Sequence, residues 1–296
     1  MQLNYSNIIL QSIQPAWLPS QTEAAMLRLD LLHPGISGNK WFKLRYNLQQ
    51  AAAAGKTRIV TFGGAWSNHI AATAVACKLA GLQSTGIIRG EASIIPSHTL
   101  QQAQQYDMEL RFISREAYRQ KESTDWAAQY PDGFIIPEGG HNAAGAAGCK
   151  EILSLAPTQR FTHILCPVGT GTTLAGLINS AQPQQQVLGI AVLKGAAYLQ
   201  HEVEALLEKP AHAHWQLLHD FHGGGYAKIS TALTSFINTF YRETGVPLDI
   251  IYTGKMVWAL QQLLQQGYFP PGSRILLIHT GGLQGNSSLA PGVLCF

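Results

Sequence analysis

The 296-residue chain sets 20 lysines and arginines against 17 aspartates and glutamates, a net charge of +3 with only 12% of residues charged. It has no clustered basic stripe, so nucleic acid is not an expected partner, and no apolar run long enough to span a bilayer. With no basic start leading into an apolar signal core, the expectation is a soluble, cytoplasmic protein without a membrane partner, long enough for two lobes.

Residues 1–24 read as an irregular lead-in containing Pro15 and Pro19. Residues 26–32 alternate apolar and charged side chains like a strand, and a turn over 33–37 carries the chain into Gly38-Asn39-Lys40-Trp41-Phe42-Lys43-Leu44. This stretch opens a helix closed by Gly55, with Asn39 as the expected N-cap, Lys40 in the first turn and Lys43 on the same face. A helix N-terminus is partly positive, so it disfavours an ammonium and pushes a lysine towards the neutral amine that attacks a carbonyl. Taken alone, these residues fit a surface turn with two solvated lysines better. Strands are expected at 58–62, 85–88, 109–113 and 134–136, with helices at 67–80, 99–105 and 116–129. In the second half, 163–168, 187–192 and 274–278 read as buried strands between helices. Such alternation predicts parallel sheets covered on both faces.

Glycine and small polar residues recur where strands end, which is where ligands bind in parallel α/β sheets. Gly63-Gly64-Ala65-Trp66-Ser67-Asn68-His69 ends one strand and begins a helix whose free N–H groups suit an anion; Ser-Asn is equally a plain helix cap. Gly169-Thr170-Gly171-Thr172-Thr173 can wrap amides and hydroxyls around a phosphate. It is no P-loop, since no Gly-Lys-Ser/Thr follows, and a poor dinucleotide fingerprint, since the next strand ends without an acid, so a monophosphate fits better. Gly223-Gly224-Gly225-Tyr226, Tyr252-Thr253-Gly254-Lys255 after 248–251, and His279-Thr280-Gly281-Gly282 complete the set. Cys77, Cys149, Cys166 and Cys295 are too dispersed for a disulfide framework or zinc ribbon, and His212 and His214 are expected in a polar loop, so no metal site is indicated.

The ordered motifs resemble the fold-type II pyridoxal 5′-phosphate enzymes, in the branch of 1-aminocyclopropane-1-carboxylate deaminase and D-cysteine desulfhydrase. The residues carrying the likeness are Gly38-Asn39-Lys40 with Lys43-Leu44, Gly64 with Ser67-Asn68-His69, Pro137-Glu138-Gly139-Gly140 with Asn142, residues 169–173, Leu248-Asp249 with Tyr252-Thr253-Gly254-Lys255, and His279-Thr280-Gly281-Gly282. The resemblance implies a tryptophan synthase β-like α/β fold of two three-layer lobes with mostly parallel sheets. Residues 1–44 and 151–296 would form the larger, cofactor-binding lobe and 45–150 the smaller one, in a homodimer acting on a small amino-acid substrate.

Carried over by position, the resemblance makes Lys40 the lysine that bonds the aldehyde of pyridoxal phosphate and Lys43 a charge partner for its phosphate. Gly169, Thr170, Gly171, Thr172 and Thr173 would hold that phosphate. Asn68 would bond the ring 3′-oxygen, Thr253 would face the pyridine nitrogen and Thr280 would lie near the ring. Ser67, Asn68 and His69 would receive the substrate carboxylate, the last two largely through backbone N–H groups, while Tyr226 and Tyr252 would flank the reacting carbon. In relatives similar to the cyclopropane deaminases a glutamate stands where this chain has Thr253. A neutral hydroxyl holds the ring proton less firmly, which suits β-elimination, giving a 2-oxo acid, ammonia and the leaving group, better than cyclopropane opening. Trp66 replaces a common glutamine, Ile70-Ala71-Ala72 a more polar helix start, and His141 a usual serine; Trp66 fits either a pocket wall or a core aromatic. A racemase and a non-catalytic cofactor carrier share the lysine and the phosphate cradle, but a carrier has no need of Ser67 and two tyrosines.

Overall fold

The computed structural model describes residues 3–208, 213–225 and 227–296. Strands β1 (Leu10–Ser12) and β2 (Glu23–Arg28) precede helix α1 (Asn39–Ala53). Then follow β3 (Arg58–Gly63), α2 (Asn68–Ala80), β4 (Gln83–Arg89), α3 (His98–Gln105), β5 (Met108–Ile113), the short helices α4 (Arg115–Arg119) and α5 (Trp126–Gln129), β6 (Gly133–Ile136) and α6 (Ala143–Cys149). The remainder comprises β7 (His163–Val168), α7 (Thr172–Ser180), β8 (Gln186–Ala191), α8 (Leu199–Glu204), β9 (His214–Leu218), α9 (Thr231–Thr244), α10 (Thr253–Gln265) and β10 (Arg274–His279).

These strands make a four-stranded sheet in the order β5-β4-β3-β6 and a six-stranded sheet in the order β1-β2-β10-β7-β8-β9. All pairings are parallel except that of β1 with β2. In the larger sheet, Ile164, Cys166 and Val168 face a cluster with Leu174 and Ile178 of α7, whereas Leu165 faces Ile237 and Phe240 of α9 and Met256 and Leu260 of α10. The smaller sheet packs Ile59 and Ile136 against α1 and α2, and Val60, Phe62 and Ile87 against Tyr118 and Trp126. Each sheet is therefore the middle of three layers. Burying each large apolar side chain contributes about 1.5–3 kcal/mol. Helix α1 joins both cores, with Phe42 packed against the larger sheet and Leu44 and Leu48 against the smaller.

Strand order reverses twice. In the small sheet β4 and β5 lie to one side of β3 and β6 to the other; in the large one β8 and β9 lie to one side of β7 and β10 to the other. At such points the loops leaving neighbouring strands diverge and open a crevice beyond their carboxyl ends. All the glycine-rich turns that leave β3, β6, β7 and β10 lie at these two reversals.

Several expectations are corrected locally. Residues 1–24 include β1, an edge strand whose partner is β2. The strand expected over 26–32 ends at Arg28, and a 3₁₀ turn spans Leu29–Leu31. The helix expected over 116–129 breaks into α4, a 3₁₀ turn and α5, because Ser114 and Asp125 each cap a new N-terminus with their side chains. His214 begins β9 rather than lying in a loop, while His212 falls outside the described residues. No helix among the described residues is long and apolar enough to cross a membrane.

Candidate active site

Gly38, not Asn39, is the N-cap of helix α1. Gly38 takes φ +69°, and a Cβ there would stand 1.9 Å from the Thr280 carbonyl oxygen. Only glycine allows this approach, through which Asn39 N–H donates to Thr280 O at 3.2 Å and fastens the helix start to the end of β10. The Asn39 side chain is thereby free to tie two parts of the site together. Its Nδ2 donates to Thr173 Oγ1 at 2.8 Å and its Oδ1 accepts from Lys40 Nζ at 2.6 Å.

Lys40 is partly open to the crevice and Lys43 is buried. Burial first, and the nearby Lys43 charge second, bring the Lys40 amine down to about 7. Burial rather than the helix start is thus the main cause of the neutral amine. Burial also lowers Lys43, whose Nζ donates to Thr170 Oγ1 at 3.2 Å. The cradle over 169–173 lies where α7 begins. Gly171 is its N-cap at φ +83°, and Thr172 and Thr173 form its first turn with their N–H groups pointing outward. A Cβ on Gly169 would touch the Tyr252 ring at 3.2 Å, which places that phenol beside the cradle. From the other sheet, the turn after β6 closes over the cradle: an added Cβ would come within 2.8 Å of Thr170 at Gly139, and within 3.1 Å of Lys43 at Gly140. Gly176, which could have been a third phosphate glycine, instead lets α7 pack against Cys149 and Ala146 of α6.

Ser67 caps α2 by accepting from Ile70 N–H at 3.3 Å, so its own hydroxyl proton remains available. The N–H groups of Asn68 and His69 have no partner within the helix. The Asn68 amide abuts Gly282, where a Cβ would lie 2.9 Å from Nδ2 and 3.4 Å from Asp249 Cγ. His69 turns its ring inward, with Nε2 2.8 Å from Thr61 Oγ1. The single Thr61 hydroxyl proton goes to Ile136 O at 2.8 Å, so His69 donates from Nε2 and carries a lone pair on Nδ1, a buried atom with no hydrogen-bond partner among the described residues. Burial, then Lys40 and Lys43, push this imidazole down to about 3. The unfolded chain therefore binds a proton that the native protein refuses between about pH 6.5 and pH 3, and native stability falls as pH falls through that window. His69→Gln is expected to remove up to about 1.4 kcal/mol per pH unit from the acid-side slope, read from urea midpoints of variant and wild type.

Residues 248–251 form no strand. Asp249, fully buried, accepts from the N–H groups of Ile251, Tyr252 and Thr253 at 2.9, 2.8 and 2.7 Å and starts α10. Thr253 Oγ1 donates to Asp249 Oδ1 at 2.7 Å and accepts from Asp249 N–H at 2.8 Å, so towards the crevice it can offer only a lone pair. The spacing of Asp249 from Tyr252 and Thr253 is the sequence signal of this side-chain cap. Lys255, lowered to about 8 by burial, donates to Gly225 O at 2.6 Å and pins the glycine turn 223–225. Tyr226 lies outside the described residues. Trp66 is 41% exposed in the turn before α2, which excludes a core role.

The sequence matches the pyridoxal-phosphate dependent enzyme family over residues 18–281. The chain belongs to that family. Its relatives include a provisionally named 1-aminocyclopropane-1-carboxylate deaminase of Pyrococcus horikoshii, 29% identical over 87% of this chain and 84% of the relative. Another is the mitochondrial bifunctional D-cysteine desulfhydrase/1-aminocyclopropane-1-carboxylate deaminase of Arabidopsis thaliana, 28% identical over 90% of this chain and 74% of that one. The crystal structure of an ACC deaminase homologue superposes with a TM-score of 0.79 at 25% identity, covering 95% of this chain and 90% of that one. O-ureido-L-serine synthase, at 16% identity, 97% and 92% coverage and a TM-score of 0.71, shares the fold.

Pyridoxal phosphate is this enzyme's cofactor, and the residues present fit it. A glycine-started helix with hydroxyls and a lysine suits the phosphate, and a lysine amine brought down to about 7 suits the aldehyde. The crevice side is lined by Asn68 and Gly282, where no Cβ intrudes.

Proposed function

We propose that the chain is a lyase that removes a β-substituent and ammonia from a small D-amino acid, in the manner of a D-cysteine desulfhydrase. The observation that carries this reading is the Lys40 amine, brought down to about 7 and bonded to Asn39, whose side chain also reaches Thr173 of the phosphate cradle. When bound, the cofactor supplies the electron sink that makes the α-proton acidic. Lys40 would hold the cofactor by its aldehyde, and its Nζ, when free, would take the α-proton. The Ser67 hydroxyl and the free N–H groups of Asn68 and His69 hold the substrate carboxylate, fixing which α-substituent faces Lys40. Thr170, Thr172, Thr173 and Lys43 hold the phosphate, and Tyr252, beside Gly169, brings a second proton-transfer group to the same side.

A second reading, opening of the ring of 1-aminocyclopropane-1-carboxylate, has Asp249 in its favour. The carboxylate behind Thr253 makes that hydroxyl an acceptor, able to keep a ring N–H in place although no glutamate follows Tyr252. The two separate in one assay: 2-oxo acid release from D-cysteine, L-cysteine, β-chloro-D-alanine and 1-aminocyclopropane-1-carboxylate. Release from only the D-β-substituted amino acids supports elimination; release from the cyclopropane supports ring opening. A spectral shift with all four and product from none would reject both.

A further inference from the structure

His141 stands at the end of the turn that closes over the cradle, and it connects two elements far apart in sequence. Its Nε2 lies 2.6 Å from Glu202 Oε2 on α8. Its Nδ1 lies 3.0 Å from Thr172 Oγ1 in the cradle. Thr172 Oγ1 is 3.2 Å from Thr170 Oγ1, which accepts from Lys43 Nζ, also at 3.2 Å. Five side chains thus form one line from a half-exposed carboxylate to a buried lysine.

With a neutral imidazole the direction of every bond in this line is fixed. A carboxylate only accepts, so His141 donates from Nε2 and its Nδ1 carries the lone pair. Thr172 then spends its hydroxyl proton on Nδ1, Thr170 spends its own on Thr172, and Lys43 donates to Thr170. Neither threonine hydroxyl has a proton left for an anion. A proton from solvent on His141 Nδ1 reverses the relation with Thr172: the ring becomes the donor, and both hydroxyl protons are released towards the cradle.

We infer that His141, held by Glu202, sets the direction of the hydroxyl protons in the cradle, so that binding the cofactor phosphate raises the protonated fraction of His141. This rests on residues 169–173 being where the phosphate is held. The charged groups around the imidazole are Glu202 from α8, Lys43 from α1 and Glu122 from the 3₁₀ turn after α4. Burial is the largest influence and lowers the imidazole, the Lys43 charge lowers it further, and the two glutamates act the other way, leaving it net below its ordinary value. A phosphate dianion beside Thr170 and Thr172 adds negative charge and an acceptor that uses the released hydroxyl protons, and both raise it.

The test uses cofactor-free full-length protein and 4-deoxypyridoxine 5′-phosphate, which has no aldehyde and forms no bond with Lys40. Titration calorimetry near neutral pH, in two buffers of different ionisation enthalpy, counts the protons taken up. Wild type is expected to take up a fraction of a proton that His141→Asn does not, since the amide keeps a hydrogen bond to Thr172 but cannot titrate. From below to above the imidazole's titration in both states, wild-type affinity should fall up to about tenfold more than that of the variant, the change that a one-unit rise at His141 produces. Glu202→Gln, at a half-exposed site, should reduce the proton count and guards against misfolding of the first variant. Equal proton counts and parallel pH profiles in wild type and both variants would overturn the inference. Thr170→Val separates the two levels: weaker phosphate binding there, with His141→Asn like wild type, removes only the role of His141. Unchanged binding in Thr170→Val removes the cradle itself.

Discussion

Lys40→Ala is expected to fold, to bind the cofactor without a covalent bond, and to lose at least about 10³-fold in turnover, because one amine provides both the attachment and the base. Borohydride treatment followed by mass spectrometry should fix the cofactor to wild type at Lys40 and leave the variant unlabelled. A visible absorption band unchanged in the variant would remove Lys40 from the assignment. The pH dependence gives a second reading of the same group. Lys40 acts as a base only in the substrate complex, where its amine is free and must be unprotonated, so wild-type kcat should rise with pH through about 7, where burial and Lys43 place that amine. Lys43→Met removes the second of those causes, and the rising limb should move to higher pH whatever happens to its height. The depressed amine also weakens the native state: between about 7 and its ordinary 10.5 the unfolded chain binds a proton that the native chain does not, so stability rises with pH across that window.

Asp249→Ala should be the most damaging substitution to stability near the site, at about 3–5 kcal/mol. The carboxylate accepts from three backbone N–H groups and the Thr253 hydroxyl, and its removal leaves these donors without an acceptor at the start of α10. Urea midpoints should fall accordingly, and cofactor affinity with them, since Tyr252 and Thr253 lose their anchor. Thr253→Val breaks only the hydroxyl's bonds to Asp249 and should cost about 1–3 kcal/mol. Equal losses in the two variants would mean that the backbone cap contributes nothing.

Much of this architecture was legible because the relevant signals are local. Ser67, Gly55 and Gly81 mark helix ends at the expected places, and β7 was bounded correctly by its buried aliphatic run. What escaped was decided by partners distant in sequence. Strand β1 is short and lies at an edge, with nothing in its sequence to mark it before β2 is placed alongside. Residues 248–251 are apolar enough for a strand, yet Asp249 folds back on the next three N–H groups and turns them into a helix start. The lysines, the cradle and the Ser-Asn-His start could be picked out individually, but the line from Glu202 through His141 to Lys43 could not, since no spacing rule joins a turn, a helix and a strand end. Asn39 is a related case. Its residue type suggested a cap, whereas a glycine capable of φ +69° released its side chain to bridge Lys40 and Thr173.

Strand β10, the last among the described residues, lies in the interior of its sheet, hydrogen-bonded on one side to β2 and on the other to β7. During synthesis β2 emerges long before β10 and waits with an open edge until β10 follows, since domains form as units once their chain is available. The same strand delivers Thr280, to which the start of the lysine helix is fastened. Cofactor capture therefore waits for β10 to be made and paired. Ribosome-bound fragments ending before β10 should fail to retain pyridoxal phosphate and should present two unpaired strand edges to chaperones or to one another.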